Sequence, residues 1–294
     1  MNHVEISVIT VSYNNLQILI DCIESIYRFN DIGNKLEVIV VDNSPESNIF
    51  DYIKQKYIEV KIVKNDNKGF GEANNVGATF AKGKYLLFLN PDTILIEPIF
   101  KFAIDKFEQD KELGGFGVKL VDLKYNRNTS FQYIDKCGFI DNQIIKLCRK
   151  LDVFIDGKMC IIGADIFMNK EVFYDCGMFD ENIFMYSEEA DLTRRIKSLK
   201  KKTAYFKEKS IIHLEGKTVS DKQIDLERRL ESQKYYCGKY GLNFKKMINS
   251  QIRYNYFKMI IYKVTYSKKY GICKNNINLM KEFCKKKLLN DIDI

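Results

Sequence analysis

The sequence predicts an α/β domain with a mostly parallel sheet and helices on both faces, followed by a helical C-terminal region. Strand-like and helix-like segments alternate through the first hundred residues, which is the pattern of such sheets. From about residue 221 the apolar residues recur at helical spacing. The 294 residues suffice for one large domain with an appendage, so we predict a domain at 1–220 and a basic helical region at 221–294.

Four strands are predicted in the first hundred residues. They are ISVIT (6–10), LEVIVVD (36–42), VKIV (60–63) and YLLFL (85–89). The helices between them are LQILIDCIESIYRF (16–29), SPESNIFDYIKQKY (44–57), which has an N-cap and first-turn pattern at Ser44 and Pro45, and GEANNVGATFAKG (71–83). Ligands of parallel sheets bind beyond the carboxyl ends of the strands. The residues that follow strand ends, and that we expect along one rim, are Asn14, Asp42, Asn43 and Asp92.

The rest of the predicted domain is less regular. Residues 114–165 show no clear period, and DLKYNRNTS (122–130) is predicted as a loop. A helix is predicted from near Ser187, and the short strand SIIHLEG (210–216) closes the domain. In the C-terminal region an apolar stripe is formed by Ile248, Ile252, Tyr256, Met259 and Ile260.

Composition indicates a globular protein of the cytosol. Apolar residues make up 46% of the chain and charged residues 29%, which excludes wholesale disorder. No apolar run approaches the roughly 18–20 residues of a membrane span, and the N-terminus enters a strand pattern without the regions of a signal peptide. The eight cysteines are scattered without a CxxC pair, so we expect neither a disulfide framework nor a cysteine zinc site.

The net charge of +8 is concentrated in the C-terminal region. Residues 221–294 carry 17 Lys and Arg against 7 Asp and Glu, a net of +10, whereas the first 220 residues carry 30 against 32, a net of −2. Such a region suggests an acidic neighbour. Aromatic and lysine side chains are interleaved there: Tyr254, Tyr256, Phe257, Tyr262 and Tyr266 with Lys258, Lys263, Lys268 and Lys269.

This interleaving suits the surface of an anionic membrane, which would hold a cytoplasmic protein at the inner face of the cell membrane. The alternative is that the apolar stripe packs on the domain and the lysines face solvent. Nucleic-acid binding is not expected, because no recognition motif accompanies the charge.

The glycine-rich stretch KGFGEANNVG (68–77) is not a dinucleotide-binding fingerprint. That fingerprint lies between the first strand and the first helix, whereas this stretch follows the third strand. The first turn, TVSYNN, has no glycine, and no GxxxxGK[ST] occurs in the chain. The glycines are better explained by a tight turn and by close packing of a helix on the sheet.

Two carboxylates follow strand ends, and each has two explanations. Asp92 in NPDT either caps the next element or holds a divalent cation together with a substrate diphosphate. Asp42 in VVDNS either accepts hydrogen bonds from a ribose or base, or adds charge beside a helix cap at Asn43 or Ser44. The residues by themselves leave both choices open.

The stretch FDENIFMYSEEADLTRR carries the strongest indication of chemistry. Glu188, Glu189 and Asp191 crowd into one helical turn after the apolar run FMY, which suits a base in a partly dry pocket. The structural explanation is a favourable interaction of these acids with the helix dipole and with the arginines that follow. His213, one of two histidines, is either a packing residue or a neutral imidazole ligand.

Taken in order, these segments resemble the glycosyltransferase family 2 proteins, in particular the rhamnosyltransferase-like bacterial members with the GT-A nucleotide-sugar fold. The matching blocks are VITVSYNN, VIVVDNS, NKGFGEANNVGATFAKGKYLLFLNPDT, GADIFMNKEVFYDCGMFDENIFMYSEEADLTRR and HLEGKT. They span about residues 4–220, and RRLESQKYYCGKYG is similar to the segment after the catalytic domain in many members. Each block alone is weak, whereas the combination is highly specific.

The resemblance implies roles for individual residues. Those implied for the nucleoside pocket are Val11, Ser12, Tyr13 and Asp42. Those implied to contact the donor along its diphosphate and sugar are Lys68, Gly69, Phe70 and Asn74.

A metal and a base are also implied. Asn90-Pro91-Asp92 matches the DxD-type motif of the family, with Asp92 as its surviving carboxylate, and His213 completes a site for Mn²⁺ or Mg²⁺. The family base lies in a Glu-Asp-x-Asp motif, written here as Glu188-Glu189-Ala190-Asp191. Glu189 replaces the usual aspartate and reaches one methylene further. Either the acceptor therefore sits differently or a neighbour takes the role.

The implied function is transfer of a single sugar, with inversion, from a UDP- or dTDP-sugar to a hydroxyl of a glycan or lipid-linked glycan, in surface polysaccharide synthesis. The hydroxyl, deprotonated by Glu189, attacks the anomeric carbon. The QxxRW motif and membrane spans of processive synthases are absent from the sequence. The alternatives are a sugar nucleotidyltransferase, which should carry a glycine- and arginine-rich loop after the first strand, and a non-catalytic module that binds nucleotide or polyanion.

Overall fold

The computed structural model describes residues 3–45, 49–135, 138–214, 222–265, 267 and 269–288. Within them the chain forms ten strands, ten α-helices and a 3-10 turn at Gly33–Lys35. The strands are β1 (Ile6–Ser12), β2 (Leu36–Asp42), β3 (Lys61–Lys64), β4 (Tyr85–Leu89), β5 (Thr93–Leu95), β6 (Leu113–Val121), β7 (Phe131–Tyr133), β8 (Met159–Ile161), β9 (Asp165–Asn169) and β10 (Lys202–His213). The helices are α1 (Leu16–Arg28), α2 (Ile49–Lys56), α3 (Phe70–Thr79), α4 (Phe100–Gln109), α5 (Phe139–Leu151), α6 (Lys170–Asp175), α7 (Glu188–Ser198), α8 (Lys222–Lys239), α9 (Phe244–Val264) and α10 (Lys269–Leu288).

Eight strands form one sheet, in the order β3-β2-β1-β4-β9-β6-β10-β5. β1 pairs in parallel with β2 and β4, β2 with β3, and β6 with β10. β9 is antiparallel between β4 and β6, and β5 is antiparallel to β10. β7 and β8 form a separate antiparallel pair. The mostly parallel sheet with flanking helices that the sequence predicts is confirmed.

The strand directions bring the expected residues to one rim. β1, β2 and β4 are parallel, so their carboxyl ends meet at one edge, where Ser12 lies opposite Asp42. β10 ends at this edge with His213, because β6 and β10 run parallel to each other and β6, like β4, is antiparallel to β9. β9 begins at the same edge, with Asp165 opposite Leu89.

The core lies against the parallel strands. β4 is buried along its whole length, as its continuous apolar run predicts. A Cβ on Gly77 of α3 would lie 2.4 Å from Cγ2 of Ile9, so only glycine lets this helix pack so closely on β1. The packing role predicted for the glycine-rich stretch is therefore confirmed.

One predicted boundary, the start of the closing strand, differs from the structure. The closing strand β10 is 12 residues long and begins at Lys202 rather than Ser210. Irregular pairing between Phe206 and Ser210 interrupts its alternation, which is why the sequence pattern showed only the last part. The end of the predicted strand, 215–216, lies outside the described residues.

The N-cap predicted at Ser44 has a different role. α2 is described from Ile49, and Oγ of Ser44 accepts a hydrogen bond from the backbone N–H of Asn14 at 2.8 Å. The hydroxyl thus ties the loop after β2 to the loop after β1. Pro45 follows it, and residues 46–48 lie outside the described part.

The segment without a clear sequence period contains four elements, β6, β7, α5 and β8. β6 begins with LGGFG. Glycine has low β propensity, so these glycines interrupt the sequence pattern by which a strand is recognised. A Cβ on Gly115 would lie 2.4 Å from Sδ of Met168, so the glycine is required by the packing of β9 on β6. DLKYNRNTS forms a loop apart from an isolated bridge between Val121 and Arg127, as predicted.

The chain divides into two compact units. One comprises Met1–Ile134, Cys148–Phe184 and Glu188–Thr218, and its described part contains the eight-stranded sheet. The other comprises Asp135–Leu147, Met185–Ser187 and Val219–Ile294.

The second unit has its own apolar core. Ile248 and Ile252 of α9 cluster with Leu230 of α8 and Met280 of α10. Two members of the predicted α9 stripe, Tyr256 and Ile260, remain exposed. The stripe is therefore only partly buried, in the core that α9 shares with α8 and α10. Among the described residues, no helix is both long enough and apolar enough to span a bilayer.

Candidate active site

The two predicted metal ligands meet at the rim. Asp92 lies between β4 and β5, and His213 ends β10 opposite Thr93 of β5. The backbone N–H of Leu214 donates to the carbonyl of Asp92 at 2.9 Å, which holds the two segments together. As a result, Nε2 of His213 lies 3.3 Å from Oδ1 of Asp92, and both side chains are about one-tenth exposed.

The element after Asp92 is a strand, so no helix N-terminus follows for its carboxylate to cap. Nδ1 of His213 is buried and has no hydrogen-bond partner among the described residues, so the imidazole contacts the protein's acids through Nε2 beside Asp92. A carboxylate and an imidazole beside each other fit a Mn²⁺ or Mg²⁺ ion that also binds a diphosphate.

The protein ligands do not form a complete cage in the described chain. No group of three or more His, Cys, Asp or Glu side chains there could hold a metal ion. Two protein ligands are the number expected when substrate phosphates and water supply the remaining oxygen atoms. Asn90 of the predicted motif contributes its backbone: its N–H donates to the carbonyl of Ala164 at 3.0 Å.

The predicted acidic cluster forms the first turn of α7. Before it, Tyr186 and Ser187 have φ of 69° and 80°, in the left-handed region that non-glycine residues rarely adopt. Glu188 is buried, and its Oε2 has no partner within the described chain. Burial and the neighbouring carboxylate of Glu189 raise the pKa of Glu188 well above its ordinary value. The neutral form of Glu188 is therefore favoured.

Glu189 is half-buried, and the loop before β9 positions its carboxylate. Oε1 accepts a hydrogen bond from the backbone N–H of Gly163 at 2.8 Å. A Cβ on Gly163 would lie 2.9 Å from this oxygen and 3.4 Å from Cζ of Phe70. The absence of a side chain at 163 therefore leaves room for both the Glu189 carboxylate and the Phe70 ring.

Asp191 is paired differently. It is fully buried, and its Oδ2 accepts a hydrogen bond from Nε of Arg195 at 2.8 Å and lies 2.6 Å from Nη2 of the same guanidinium in an ion pair. Arg195 also donates to the carbonyls of Cys176 and Met178. Asp191 is thus the carboxylate that anchors α7 to the loop after α6, while Glu189 is the more accessible acid.

The residues predicted for the nucleoside pocket follow β1 and β2. Val11 is half-buried and Ser12 is buried, with an Oγ that has no partner among the described residues. Tyr13 is 44% exposed and offers an aromatic face at the end of β1.

Asp42 is fully buried at the end of β2. Its Oδ1 accepts from the backbone N–H of Ser44 at 3.0 Å, and its Oδ2 accepts from Nζ of Lys64 at 3.1 Å. The carboxylate therefore already has charged and neutral donors, and it braces the loop after β2.

The residues predicted along the donor lie at the start of α3. Gly69 has φ of 125°, and a Cβ on it would lie 2.4 Å from the carbonyl oxygen of Phe184, so only glycine fits. The N–H of Phe70 donates to the same oxygen at 2.9 Å. Asn74 is buried and donates from Nδ2 to the carbonyl of Phe70, whereas Lys68 is exposed.

Comparison with known proteins identifies the family. Residues 7–172, more than half of the chain, match Glycosyl transferase family 2. The chain belongs to glycosyl transferase family 2. The predicted family is thereby confirmed.

Two relatives share part of this family 2 sequence. The chain is 32% identical over 111 residues to the minor teichoic acid biosynthesis protein GgaB of Bacillus subtilis, covering 36% of this chain and 12% of that protein. It is 29% identical over 119 residues to the glycosyltransferase GlyG of Streptococcus pneumoniae, covering 38% of each. The aligned part is thus well under two thirds of either relative.

Two solved structures share the fold. The mannosyltransferase PcManGT of Pyrobaculum calidifontis, in complex with GDP-Man and Mn²⁺, aligns with a TM-score of 0.65 at 12% identity, over 97% of this chain and 87% of that one. TarS residues 1–349 of S. aureus, in complex with UDP, align with a TM-score of 0.54 at 15% identity, over 79% and 65%. The GT-A fold predicted for the chain is confirmed.

The sequence pattern of this family 2 member does not reveal the loop before β9. Gly163 and Ala164 connect the segments of Glu189 and Asn90 through backbone atoms, which no side-chain pattern reveals. It also missed Asp165, which is fully buried; its Oδ2 accepts from the N–H of Val118 at 2.7 Å. Burial raises the pKa of Asp165 well above its ordinary value. The sequence feature that could have indicated Asp165 is a single acidic residue at the start of the apolar strand DIFMN.

Proposed function

We propose that the protein is an inverting, metal-dependent transferase that moves one sugar from a UDP- or dTDP-sugar to a hydroxyl of a glycan or lipid-linked glycan. The catalytic part is residues 1–220. The basic region, 221–294, holds the protein at the anionic inner face of the cell membrane. The role is synthesis of a surface polysaccharide, which is supported by similarity to a relative named for teichoic acid biosynthesis.

One observation carries the proposal: two backbone hydrogen bonds connect the candidate base to the candidate metal ligand. Gly163 N–H holds Glu189, and the carbonyl of the next residue, Ala164, accepts from Asn90, two residues before Asp92. A transferase needs a base for the acceptor and positive charge for the leaving diphosphate within one substrate length. Because Gly163 and Ala164 are consecutive, these two hydrogen bonds support placing the base and the metal ligand close together.

Glu189 is the proposed base. Its carboxylate is half-buried and is held by the backbone N–H of Gly163. It would take the proton of the acceptor hydroxyl as the oxygen attacks the anomeric carbon from the face opposite the diphosphate. We assign Asp191 to positioning α7 through Arg195, and Glu188 to the wall of the pocket.

Asp92 and His213 are the proposed ligands of Mn²⁺ or Mg²⁺. The ion, when bound, supplies positive charge for the leaving diphosphate. The imidazole favours Mn²⁺, since Mg²⁺ prefers oxygen ligands. PcManGT, which shares the fold, is described in complex with Mn²⁺.

The donor is proposed to lie between the ends of β1 and β2 and the start of α3. Tyr13 would stack on the base beside Val11 and Ser12, and Asp42 would bind the nucleoside after exchanging one of its present donors. Lys68 is exposed and suited to the diphosphate, and Gly69, Phe70 and Asn74 shape the turn beneath the sugar.

The alternative activities make different demands. A sugar nucleotidyltransferase needs phosphate donors after β1, whereas the turn there contains Tyr13 and two asparagines. A non-catalytic module needs no held base beside a metal ligand. Both alternatives are tested by the same assay.

The test is a donor-hydrolysis assay over a panel of nucleotide sugars. We expect slow, Mn²⁺-dependent release of nucleoside diphosphate, and a product of inverted anomeric configuration when an acceptor is found. Glu189→Gln should reduce turnover by roughly 10²–10⁴-fold and leave donor binding intact. Asp92→Asn should abolish Mn²⁺-dependent donor binding. Asp105→Asn, which changes an exposed aspartate of α4, is the matched control and should leave donor binding unchanged.

Different results would reassign the site. If Asp191→Asn abolished turnover in a folded protein while Glu189→Gln did little, the base would be Asp191. Retained activity in Asp92→Asn would remove the metal assignment. Release of pyrophosphate from a nucleoside triphosphate and a sugar phosphate would identify a nucleotidyltransferase instead.

A further inference from the structure

We propose that an exposed apolar surface formed by α5 and α9, both contributing to the second compact unit, docks the protein on an anionic membrane. This inference deepens the proposed function, which assigns membrane contact to the basic region as a whole, and it rests on that proposal for its biological purpose. It adds the side chains that make contact, and it includes α5, which lies outside the basic region.

α5 presents its apolar side to solvent. Ile140, Ile144 and Leu147 lie at i, i+4 and i+7, on one side of the helix, and are 70%, 43% and 55% exposed. The buried residue of this helix is Ile145. A helix that serves only to complete a core buries its apolar stripe. α5 instead exposes its apolar stripe to solvent. We therefore infer that another surface covers this stripe.

α9 has two apolar sides, of which one is exposed. Ile248 and Ile252 face the core of the unit. The second stripe follows the i, i+3, i+4, i+7 pattern near the end of the helix, and its residues are between 43% and 73% exposed. They are Phe257, Ile260, Ile261 and Val264.

The two helices contact each other beside their exposed apolar residues. The rings of Phe139, at the start of α5, and Phe257, in α9, lie 4.6 Å apart in an edge-to-face arrangement, and each is 44% exposed. Phe139 also lies 6.2 Å from the ring of Tyr254. Contiguous exposed apolar patches are uncommon on monomeric proteins and mark interaction sites. We call this patch the α5–α9 surface.

The charge of the two helices identifies the occupant. α9 carries five basic residues and no acidic residue, and α5 carries three basic residues and one acidic residue. A second copy of the chain would bring like charges together across a two-fold axis. An anionic membrane supplies the opposite charge and an apolar layer, which is the combination that amphipathic basic helices enter.

Vesicle flotation of the full chain tests the proposal. We expect binding to vesicles of phosphatidylglycerol and phosphatidylcholine, much weaker binding to phosphatidylcholine alone, and partial loss at high salt. Ile260→Glu with Val264→Glu should weaken binding at least about tenfold, because both the apolar contact and the charge balance are lost. Ile140→Glu with Leu147→Glu should do the same.

The matched control is Ile58→Glu with Leu123→Glu, two exposed apolar residues outside α5 and α9 that are 90% and 60% exposed. This control should float like the unmodified protein. All four proteins should hydrolyse soluble donor equally, since none of the changed residues belongs to the candidate active site.

The proposal is overturned if the unmodified chain shows no preference for anionic vesicles, or if the α5 variant binds as well as the control. It is also overturned if sedimentation shows a dimer that both variants dissociate while no vesicle binding occurs. The active-site proposal fails separately: vesicle binding without any donor hydrolysis would contradict the transferase mechanism and leave the docking surface standing.

Discussion

The position of the Glu189 carboxylate depends on the absence of a side chain at residue 163. A methyl group there would lie 2.9 Å from Oε1, and this oxygen ends a flexible side chain that can move away. Gly163→Ala should therefore cost little stability but displace the proposed base. We expect turnover to fall by roughly 10–10²-fold, because misplacement by about 1 Å has effects of this size. Steady-state kinetics with a donor-binding measurement checks this, and donor affinity should be preserved.

Gly238→Ala is the control for that substitution. Gly238 lies within α8, and a Cβ there would meet no atom within 4 Å. The variant should keep full turnover and gain about 0.5–1 kcal/mol of stability, since alanine replaces glycine in a helix. Unchanged turnover in Gly163→Ala would mean that the Gly163 contact plays no part in catalysis.

Asp165 makes stability depend on pH. Burial raises the pKa of Asp165 above its ordinary value, so in the unfolded chain the group ionises at lower pH than in the folded protein. Its contribution to stability is complete below the unfolded pKa, near 3.8, and is lost as pH rises towards the folded pKa. Relative to the unmodified protein, Asp165→Asn should thus become more stabilising as the pH rises above the unfolded pKa near 3.8, by more than the roughly 0.5 kcal/mol scatter of surface substitutions.

Thermal unfolding of both proteins across this pH range measures the effect. The difference between the two melting temperatures isolates residue 165 from other titrating groups. A difference that stays constant with pH would show that Asp165 ionises normally in the folded protein.

At the scale of elements, α7 is anchored by one arginine. Arg195 joins the buried carboxylate of Asp191 to two carbonyls of the loop after α6. Arg195→Ala should lower the free energy of unfolding by about 3–5 kcal/mol, because the buried carboxylate of Asp191 loses its ion pair with Arg195 and the two loop carbonyls lose their donor. Lys197→Ala, which removes the more exposed pair with Asp156, should cost at most about 1 kcal/mol.

Chemical denaturation of the two variants makes the comparison. Equal losses would contradict the anchoring role of Arg195. A loss of turnover in Arg195→Ala at full stability would instead point to direct participation of Asp191 in catalysis.

At the scale of the whole molecule, metal and nucleotide should stabilise the protein together. The two proposed ligands, Asp92 and His213, would leave positions on the ion for diphosphate oxygens, so ion and diphosphate would complete each other's site. A nucleoside diphosphate at about 100 times its Kd contributes about 2.7 kcal/mol, which is roughly 5–10 °C in Tm. We expect this rise in Tm when UDP or dTDP is added with Mn²⁺. The rise should be smaller with the same nucleotide and Mg²⁺, and close to zero with the nucleotide and EDTA. A nucleotide shift that EDTA does not change would contradict the metal site.

Much of the fold could be predicted because several of its strands are continuous apolar runs in the sequence. LEVIVVD and YLLFL were assigned with their observed bounds, since strands buried on both faces require continuous apolar runs. The segment from β6 to β8 could not be predicted. Glycines interrupt β6, and the apolar stripe of α5 faces solvent, so neither element follows the pattern of a single buried face.

The sequence by itself determined the family, the parallel sheet and the residues that gather at its rim. It did so because apolar periodicity sets the strands, and parallel strands bring their carboxyl ends to one edge. Only the tertiary structure decided how the environments of the three acidic residues at the start of α7 differ. Glu188 is buried, Asp191 is paired with Arg195 and Glu189 is held by Gly163. Burial and backbone hydrogen bonds from distant segments create these differences, and three acids within four residues look alike until the chain around them has folded.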